Sequence, residues 1–320
     1  MAQIVSLGET IVDLTAVGFS NEGHQLYEEN AGGSASVVAV TAQAFGAQTA
    51  LIGKVGADLF GDRLEQAIRK TGVETQSLIF DPEAHTTLCF VTLDEVGRPQ
   101  YQFVRKPGAD TLLEIGELSF DTIEEATVLH VSGMALTQDP IRQAARTAAQ
   151  VAQEAGTLVS IDPNYREHVW ASPAAFRAHT LNFMTMAQLA FMDEDELFLL
   201  TQTDTVQAGV AYLLDRGLRI VVVRQADHQT FVQCQNGDLA VVQPQLECLD
   251  QTGAGAIFIG AFLAGFVKHG GHLDLALSQI EGITRMANLA SALSTTKRGS
   301  LAAVPKAQQV QEVLNQTVLI

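Results

Sequence analysis

The sequence predicts an α/β fold, a doubly wound and mostly parallel sheet with helices on both faces, carrying a small β-lid. Three observations predict it. Short apolar runs alternate with helical patterns along most of the chain, the βαβα rhythm of a sheet covered on both faces. Hydrophobic residues make up 47% of the 320 and charged residues only 17%, below the usual quarter or so, so there is apolar material for a large core. Two segments, 11–30 and about 86–106, break the rhythm with strand-like alternation and a hairpin. The whole chain, 1–320, reads as a single domain with those lid strands inserted; no low-complexity linker, internal repeat or charge block divides it.

The elements follow in order. "IVSLG" (4–8) is a first strand. "GGSASVVAVTAQAFG" (32–46) is a helix of small residues closed by Gly46. "TALIGKVG" (49–56) is a strand ending in a glycine turn. "LFGDRLEQAIRKTGV" has amphipathic spacing, with Gly72 as its stop. "ATVLHVSG" (126–133), "TLVSIDPN" (157–164), "LAFMDEDE" (189–196) and "RIVVVRQ" (219–225) each follow a helical pattern and end in polar residues or glycine. In such sheets ligands bind beyond the carboxyl ends of the strands, where a β-layer acts as a lid.

Charge and cysteine content narrow the function. The formal net charge is -17. A surface so acidic repels phosphate backbones and anionic lipid, which argues against nucleic-acid and membrane partners. An anionic small ligand then needs local donors, such as a helix N-terminus. Cys89, Cys234 and Cys248 are far apart and odd in number, which disfavours structural zinc or a disulfide framework and fits a reducing cytosol. The start "MAQIVSLGETIVDL" lacks a basic n-region and reads as a strand. The most apolar segment, Gly253 to Val267, is shorter than the ~18 residues of a spanning helix. A cytoplasmic protein is expected.

Several groupings can carry chemistry, each with a bland alternative. Thr252, Gly253, Ala254 and Gly255 stand at a helix start, where free N–H groups and the helix dipole favour an anion; a small-residue helix packed on its neighbour explains them too. Asp162, Asn164 and Arg166 follow a strand end, and Arg166 suits phosphate; a Pro-Asn turn with a surface arginine is the alternative. Gly32 and Gly33 open a helix, either to admit a polar ligand or as a tight turn. Asp193 to Glu196 cluster carboxylates at a strand-to-helix junction, where they hold Mg²⁺ directly or through water or simply complement the helix dipole. His269 and His272 flank two glycines and read as a loop. The G-x-x-x-x-G-K-[ST], G-x-G-x-x-G and G-x-S-x-G patterns are absent.

Taken together, these motifs resemble the ribokinase-like (PfkB) carbohydrate kinases, and within them the fructokinases, from about residue 4 to 312. "GETIVD" (8–13) is similar to the first-strand motif that puts an acid, here Asp13, on sugar hydroxyls. "AGGSASVVAV" resembles the signature opening the first helix, and "GKVGADLFG" (53–61) a second signature. "QFVRKPGAD" (102–110) resembles the fructokinase lid segment, which implies Arg105 facing the sugar. "IDPNYR" (161–166), with Asn164 and Arg166, and "STTKRGS" (294–300) also fit, and Asn288 falls on the helix that borders the adenine. The resemblance implies a ribokinase-like fold, transfer of the γ-phosphoryl of ATP to a sugar hydroxyl with Mg²⁺ present, and a homodimer through the lid. It further implies that amides of Gly253, Ala254 and Gly255 form the anion hole and that an aspartate after them takes the hydroxyl proton.

The chain departs from that pattern at several positions. The residue after Gly255 is Ala256, and a methyl group accepts no proton. Val37 stands where the family usually has a sugar-contacting asparagine. Asp193 replaces the asparagine of an Asn-x-x-Glu motif, although Glu196 remains. Ala226 and Gln229 replace glycines at the nucleotide, and Arg224 and Gln225 bring larger side chains there. Two readings follow: a fructokinase-like kinase whose activity is impaired or altered by loss of the general base, or a non-catalytic sugar- or nucleotide-binding homologue with a regulatory role.

Overall fold

A computed structural model describes residues 1–317. In chain order the strands are β1 (Ile4–Leu7), β2 (Ile11–Phe19), β3 (Gln25–Gly32), β4 (Thr49–Gly56), β5 (Leu78–Asp81), β6 (Leu88–Leu93), β7 (Pro99–Val104), β8 (Val128–Ser132), β9 (Leu158–Asp162), β10 (Leu189–Asp193), β11 (Ile220–Arg224), β12 (Gln229–Cys234) and β13 (Gly237–Val242). The helices are α1 (Ser34–Ala44), α2 (Leu59–Arg69), α3 (Phe120–Glu124), α4 (Ile141–Ala155), α5 (Pro173–Met184), α6 (Glu194–Thr201), α7 (Val206–Leu214), α8 (Ala254–Lys268), α9 (Leu277–Ser294) and α10 (Ala307–Thr317).

The main sheet has nine strands in the order β13-β12-β11-β10-β9-β8-β1-β4-β5. It is parallel from β5 to β11 and antiparallel at β12 and β13. Alternation within each strand sends side chains to opposite cores. Val5 and Leu7 of β1 join the cluster holding α4, α5, α6 and α7 residues. Ile4 joins the cluster of α1, α8, α9 and α10. The helices therefore cover both faces, as the rhythm predicts. From β1 the chain first winds one way, through β4 to β5, and then the other, from β8 to β11. Strand order thus reverses beside β1, which opens a crevice at the carboxyl ends of the strands.

A separate four-stranded sheet, β3-β2-β6-β7, forms the lid. Its small core is Ile11, Cys89 and Val91, flanked by Leu93, Tyr101 and Phe103. The two segments that break the βαβα rhythm supply all four strands. Among the described residues, no helix is long and apolar enough to cross a membrane.

The run 189–196 ends in the strand-to-helix junction read there: β10 stops at Asp193 and Glu194 starts α6, with Asp193 and Glu196 in a reciprocal capping box. Two details differ from the sequence reading. The chain after β11 returns as an antiparallel hairpin, β12–β13, where the sequence suggests only an altered glycine loop. A further parallel strand, β5, beyond the six read from the sequence, extends the sheet past β4.

Candidate functional site

A cleft of about 680 Å³ lies between the strand ends and the lid, and it gathers Asp13, Gly33, Val37, Asp162, Asn164, Arg166, Asp193, Glu196, Arg224, Asn288 and the start of α8, while the 53–61 signature and the His269–His272 loop lie outside it. At one end is the start of α8. Gly253 is its N-cap with φ +78, and a Cβ there would stand 2.5 Å from that of Ser300, so glycine is required. The first-turn N–H groups of Gly255 and Ala256 have no intrahelical acceptor. The entering loop is held by Asp250, whose carboxylate accepts from the backbone N–H of Thr252 (2.8 Å) and of Gly299 (2.9 Å). Ala256 lines the cleft with its methyl group.

Arg224, at the end of β11, reaches this helix start. A Cβ placed on Gly255 would lie 3.0 Å from its Nη2. Its Nη2 is 2.7 Å from Asp193 Oδ1, and its Nε donates to the same oxygen at 2.9 Å. Two positions that the sequence reading treats as separate losses therefore form one ion pair. A similar pairing joins Val37 and Ala256: both line the cleft and both belong to the apolar cluster between α1 and α8.

At the other end, Asp13 on β2 is 3% exposed. Its Oδ2 accepts from the Ser300 hydroxyl at 3.1 Å. Burial, with repulsion from Asp250 and Glu9, pushes its pKa up to about 7. A Cβ on Gly32 would stand 2.1 Å from that carboxylate, and one on Gly33 (φ +97) would stand 2.3 Å from the Glu9 carbonyl oxygen. Glu9 Oε1 accepts from the Ser34 N–H (2.7 Å) and from Asn164 Nδ2 (3.4 Å), while its buried Oε2 has no partner. Burial pushes its pKa up as well. Asp162 accepts from the Ser34 hydroxyl (3.1 Å) and the Asn164 N–H (3.0 Å). Its pKa rises to about 6 through burial, against the nearby Arg166 charge. The Arg166 guanidinium lies 5.0 Å from the Tyr101 ring centroid and reaches the Tyr165 carbonyl at 2.8 Å.

Two expected contacts fall elsewhere. Arg105, read as facing the sugar, is buried in an ion pair with Asp110 (2.7 Å) and also donates to the Met134 carbonyl and the Thr137 hydroxyl. It is absent from the cleft wall, although Met134 lines it. Gln229 is not on that wall either; its side chain donates to Asp227. Ala226 is exposed, lines the cleft, and its N–H donates to Glu194. Asn288 lines the cleft from α9 and accepts from the Thr230 hydroxyl at 2.8 Å.

Glu196 uses both oxygens to accept backbone N–H groups, from Tyr165 (2.7 Å) and Asp193 (3.1 Å). Burial, then repulsion from Asp162 and Asp193, pushes its pKa up to about 8. Among the described residues no three His, Cys, Asp or Glu side chains converge as a metal cage. Mg²⁺ that travels with phosphates needs only one or two carboxylates. The carboxylates of Asp162, Asp193 and Glu196 all line the cleft and form a hard-oxygen, negatively charged locus that fits it.

Glu9, Ser34, Tyr101, Asp250 and Ser300 line or brace the cleft and were not singled out as candidates from the sequence. Glu9 had a signal: it directly follows β1, beside the point where strand order reverses. Ser34 and Ser300 lie inside the motifs "AGGSASVVAV" and "STTKRGS", while Tyr101 and Asp250 have no local pattern to mark them.

A family model described as pfkB family carbohydrate kinase matches residues 1–307. Fructokinase-1 of Zea mays is 33% identical over 314 residues, 97% of each chain. A fructokinase from Vibrio cholerae O395, solved in fructose, ADP and calcium ion bound form, is 30% identical with a TM-score of 0.88, covering 98% of both chains. A fructokinase from Xylella fastidiosa with bound ATP has a TM-score of 0.91 at 24% identity over 99% of this chain and 100% of that one, a likeness of fold.

Proposed function

The chain belongs to the pfkB family of carbohydrate kinases, and we propose that it is a fructokinase-like site for a hexose and ATP whose phosphoryl transfer is impaired or altered at Ala256. The observation that carries this reading is an anion cradle, Gly253 to Gly255, beside a methyl group where a proton acceptor belongs.

Asp13, Gly32, Gly33 and Asn164 hold the sugar hydroxyls, with Val37 an apolar floor. Arg105 shapes this end from behind through Met134. Arg166 and Arg224 supply positive charge to phosphate, Asn288 borders the adenine, and the turn carrying Ala226 and Gln229 flanks the nucleotide. Glu196, with Asp193, would hold Mg²⁺, directly or through water. When bound, that ion neutralises charge on the phosphate oxygens.

In the transfer, a sugar oxygen attacks the γ-phosphorus, the bond to the bridging oxygen breaks, and the first-turn amides of α8 stabilise the transferring group. The hydroxyl proton must pass to water or to an oxygen of the transferring phosphoryl group, because Ala256 cannot take it, and losing a positioned base typically lowers the rate ~10²–10⁴-fold. Gly253, Ala254 and Gly255 align the phosphoryl group regardless.

A second reading, a non-catalytic sugar- or nucleotide-binding protein, draws support from Val37. That residue and Ala256 replace two polar groups with one continuous apolar wall. The deciding experiment is ATP-dependent phosphorylation over a sugar panel led by fructose, for the chain as it stands and for Ala256→Asp. Turnover near ~1–100 s⁻¹ in the unaltered chain overturns the impairment. Silence that Ala256→Asp relieves supports it. Silence in both, with binding retained, supports the second reading.

A further inference from the structure

Glu9 stands at the sugar end of the cleft without a part in the reading above. It follows β1, is 2% exposed and belongs to the cleft wall. Its Oε1 serves two groups. It accepts from the Ser34 N–H at 2.7 Å, a first-turn amide of α1 that the N-cap, Gly33, has no side chain to satisfy. It also accepts from Asn164 Nδ2 at 3.4 Å, and the same nitrogen donates to the Ser132 hydroxyl at 3.4 Å. The backbone under that amide is fixed: the Asn164 N–H donates to Asp162 at 3.0 Å, and φ is +44.

A side-chain amide has an accepting end and a donating end, and rotation exchanges them. Turned over, Asn164 would set its Oδ1 against the Glu9 carboxylate, acceptor against acceptor in a buried place, and the Nδ2 hydrogen bonds would be lost. Glu9 therefore keeps Nδ2 inward and leaves Oδ1 as the free end of the amide. Among the described residues nothing donates to that oxygen, and Asn164 lines the cleft. Asp13, at the same end, is a second acceptor. A ligand substituent that meets these two groups satisfies them by donating.

We propose that Glu9 is a positioning residue for sugar selectivity. It holds the Asn164 amide so that a carbonyl oxygen meets the ligand, and this end of the cleft consequently selects a polyol whose hydroxyl donates there. The proposal rests on the sugar reading above, and it requires neither turnover nor nucleotide.

The test is calorimetric titration of fructose and of its monodeoxyfluoro analogues, in which fluorine replaces one hydroxyl at a time and cannot donate. Four proteins are compared: the unaltered chain, Glu9→Gln, Glu9→Met and Asn164→Gly. Glutamine keeps an oxygen for Ser34 and Asn164, and its amide nitrogen takes the place of Oε2, which has no donor to lose. Methionine removes the acceptor, so Asn164 can turn Nδ2 to the ligand. Glycine removes the amide at a backbone angle it adopts freely. In the unaltered chain and in Glu9→Gln, the analogue fluorinated where Asn164 reads should bind about tenfold more weakly than fructose. In Glu9→Met and in Asn164→Gly the penalty for that same analogue should shrink to about threefold or less, while a non-hydrolysable ATP analogue with Mg²⁺ still binds as in the unaltered chain. A merely structural Glu9 would weaken fructose and every analogue alike and leave the penalty in place. If Glu9→Met does not fold, Glu9→Asp, whose shorter carboxylate withdraws from Asn164, replaces it with the same expected result. A chain that binds fructose but has no analogue whose penalty falls in both the Glu9 and the Asn164 variants overturns the proposal and leaves the functional reading standing. So does a penalty already lost in Glu9→Gln. A chain that binds no fructose overturns the functional reading, and the proposal with it.

Discussion

Replacing Asp13 by Asn should make the free protein more stable above neutral pH while weakening its hold on sugar. Asp13 is 3% exposed, and burial, reinforced by Asp250 and Glu9, lifts its carboxyl from 3.8 to about 7. A group whose folded pKa is raised contributes stability that is complete below the unfolded value and is lost as pH rises through the folded one. The full shift corresponds to roughly 4 kcal/mol, of which about 2–3 kcal/mol is lost between pH 5 and pH 8. Asn stays neutral throughout and keeps an oxygen for the Ser300 hydroxyl. The stability of Asp13→Asn minus that of the unaltered chain should therefore grow by about 2–3 kcal/mol from pH 5 to pH 8. Urea unfolding at several pH values measures this, since the titration of distant groups cancels in the difference. A difference that stays flat, or shrinks toward pH 8, would refute the reasoning and place a compensating cation on Asp13.

Other outcomes follow from the same contacts. Arg224→Ala removes the guanidinium beside Gly255 and leaves Asp193 unpaired, so affinity for ATP should fall ten- to a hundredfold, as expected for a charged hydrogen bond of ~1.5–3 kcal/mol; calorimetry with ATP and with fructose separately should show the sugar unaffected. Gly260→Ala would put a Cβ 2.6 Å from both Thr41 Cβ and the Val38 carbonyl oxygen where α8 crosses α1; the midpoint of urea unfolding should drop by an amount worth about 1–3 kcal/mol. The lid leaves Phe19 69% and Val104 56% exposed, and a dimer through the lid would cover such groups; sedimentation should find a dimer that Phe19→Asp converts to monomer, and a monomeric parent would remove that assignment.

How far the sequence speaks depends on whether its signal is local. The βαβα rhythm and the lid were legible because strand period and helix period repeat within a few residues. The β12–β13 hairpin is not: "QTFVQC" and "GDLAVV" are short, half-polar runs at one end of the sheet, and the sequence marks this region only as a departure from a glycine loop. The resemblance alone implies Arg105 facing the sugar; its pairing with Asp110, five residues on, is a contact that the motif does not mark.

The departures at the site depend on contacts that no window along the chain contains. Asp193 and Arg224 are 31 residues apart and form one ion pair. Val37 and Ala256 lie on different helices and share one apolar wall. Read singly, each is a departure from the resemblance; read in space, Asp193 and Arg224 make one ion pair, and Val37 and Ala256 belong to one apolar cluster. Each of these contacts joins groups that are neighbours in the cleft wall and not along the chain. Ala256→Asp is the substitution on which the proposed kinase reading turns, since it would put a proton acceptor in the first turn of α8, beside the free amides that follow Gly253.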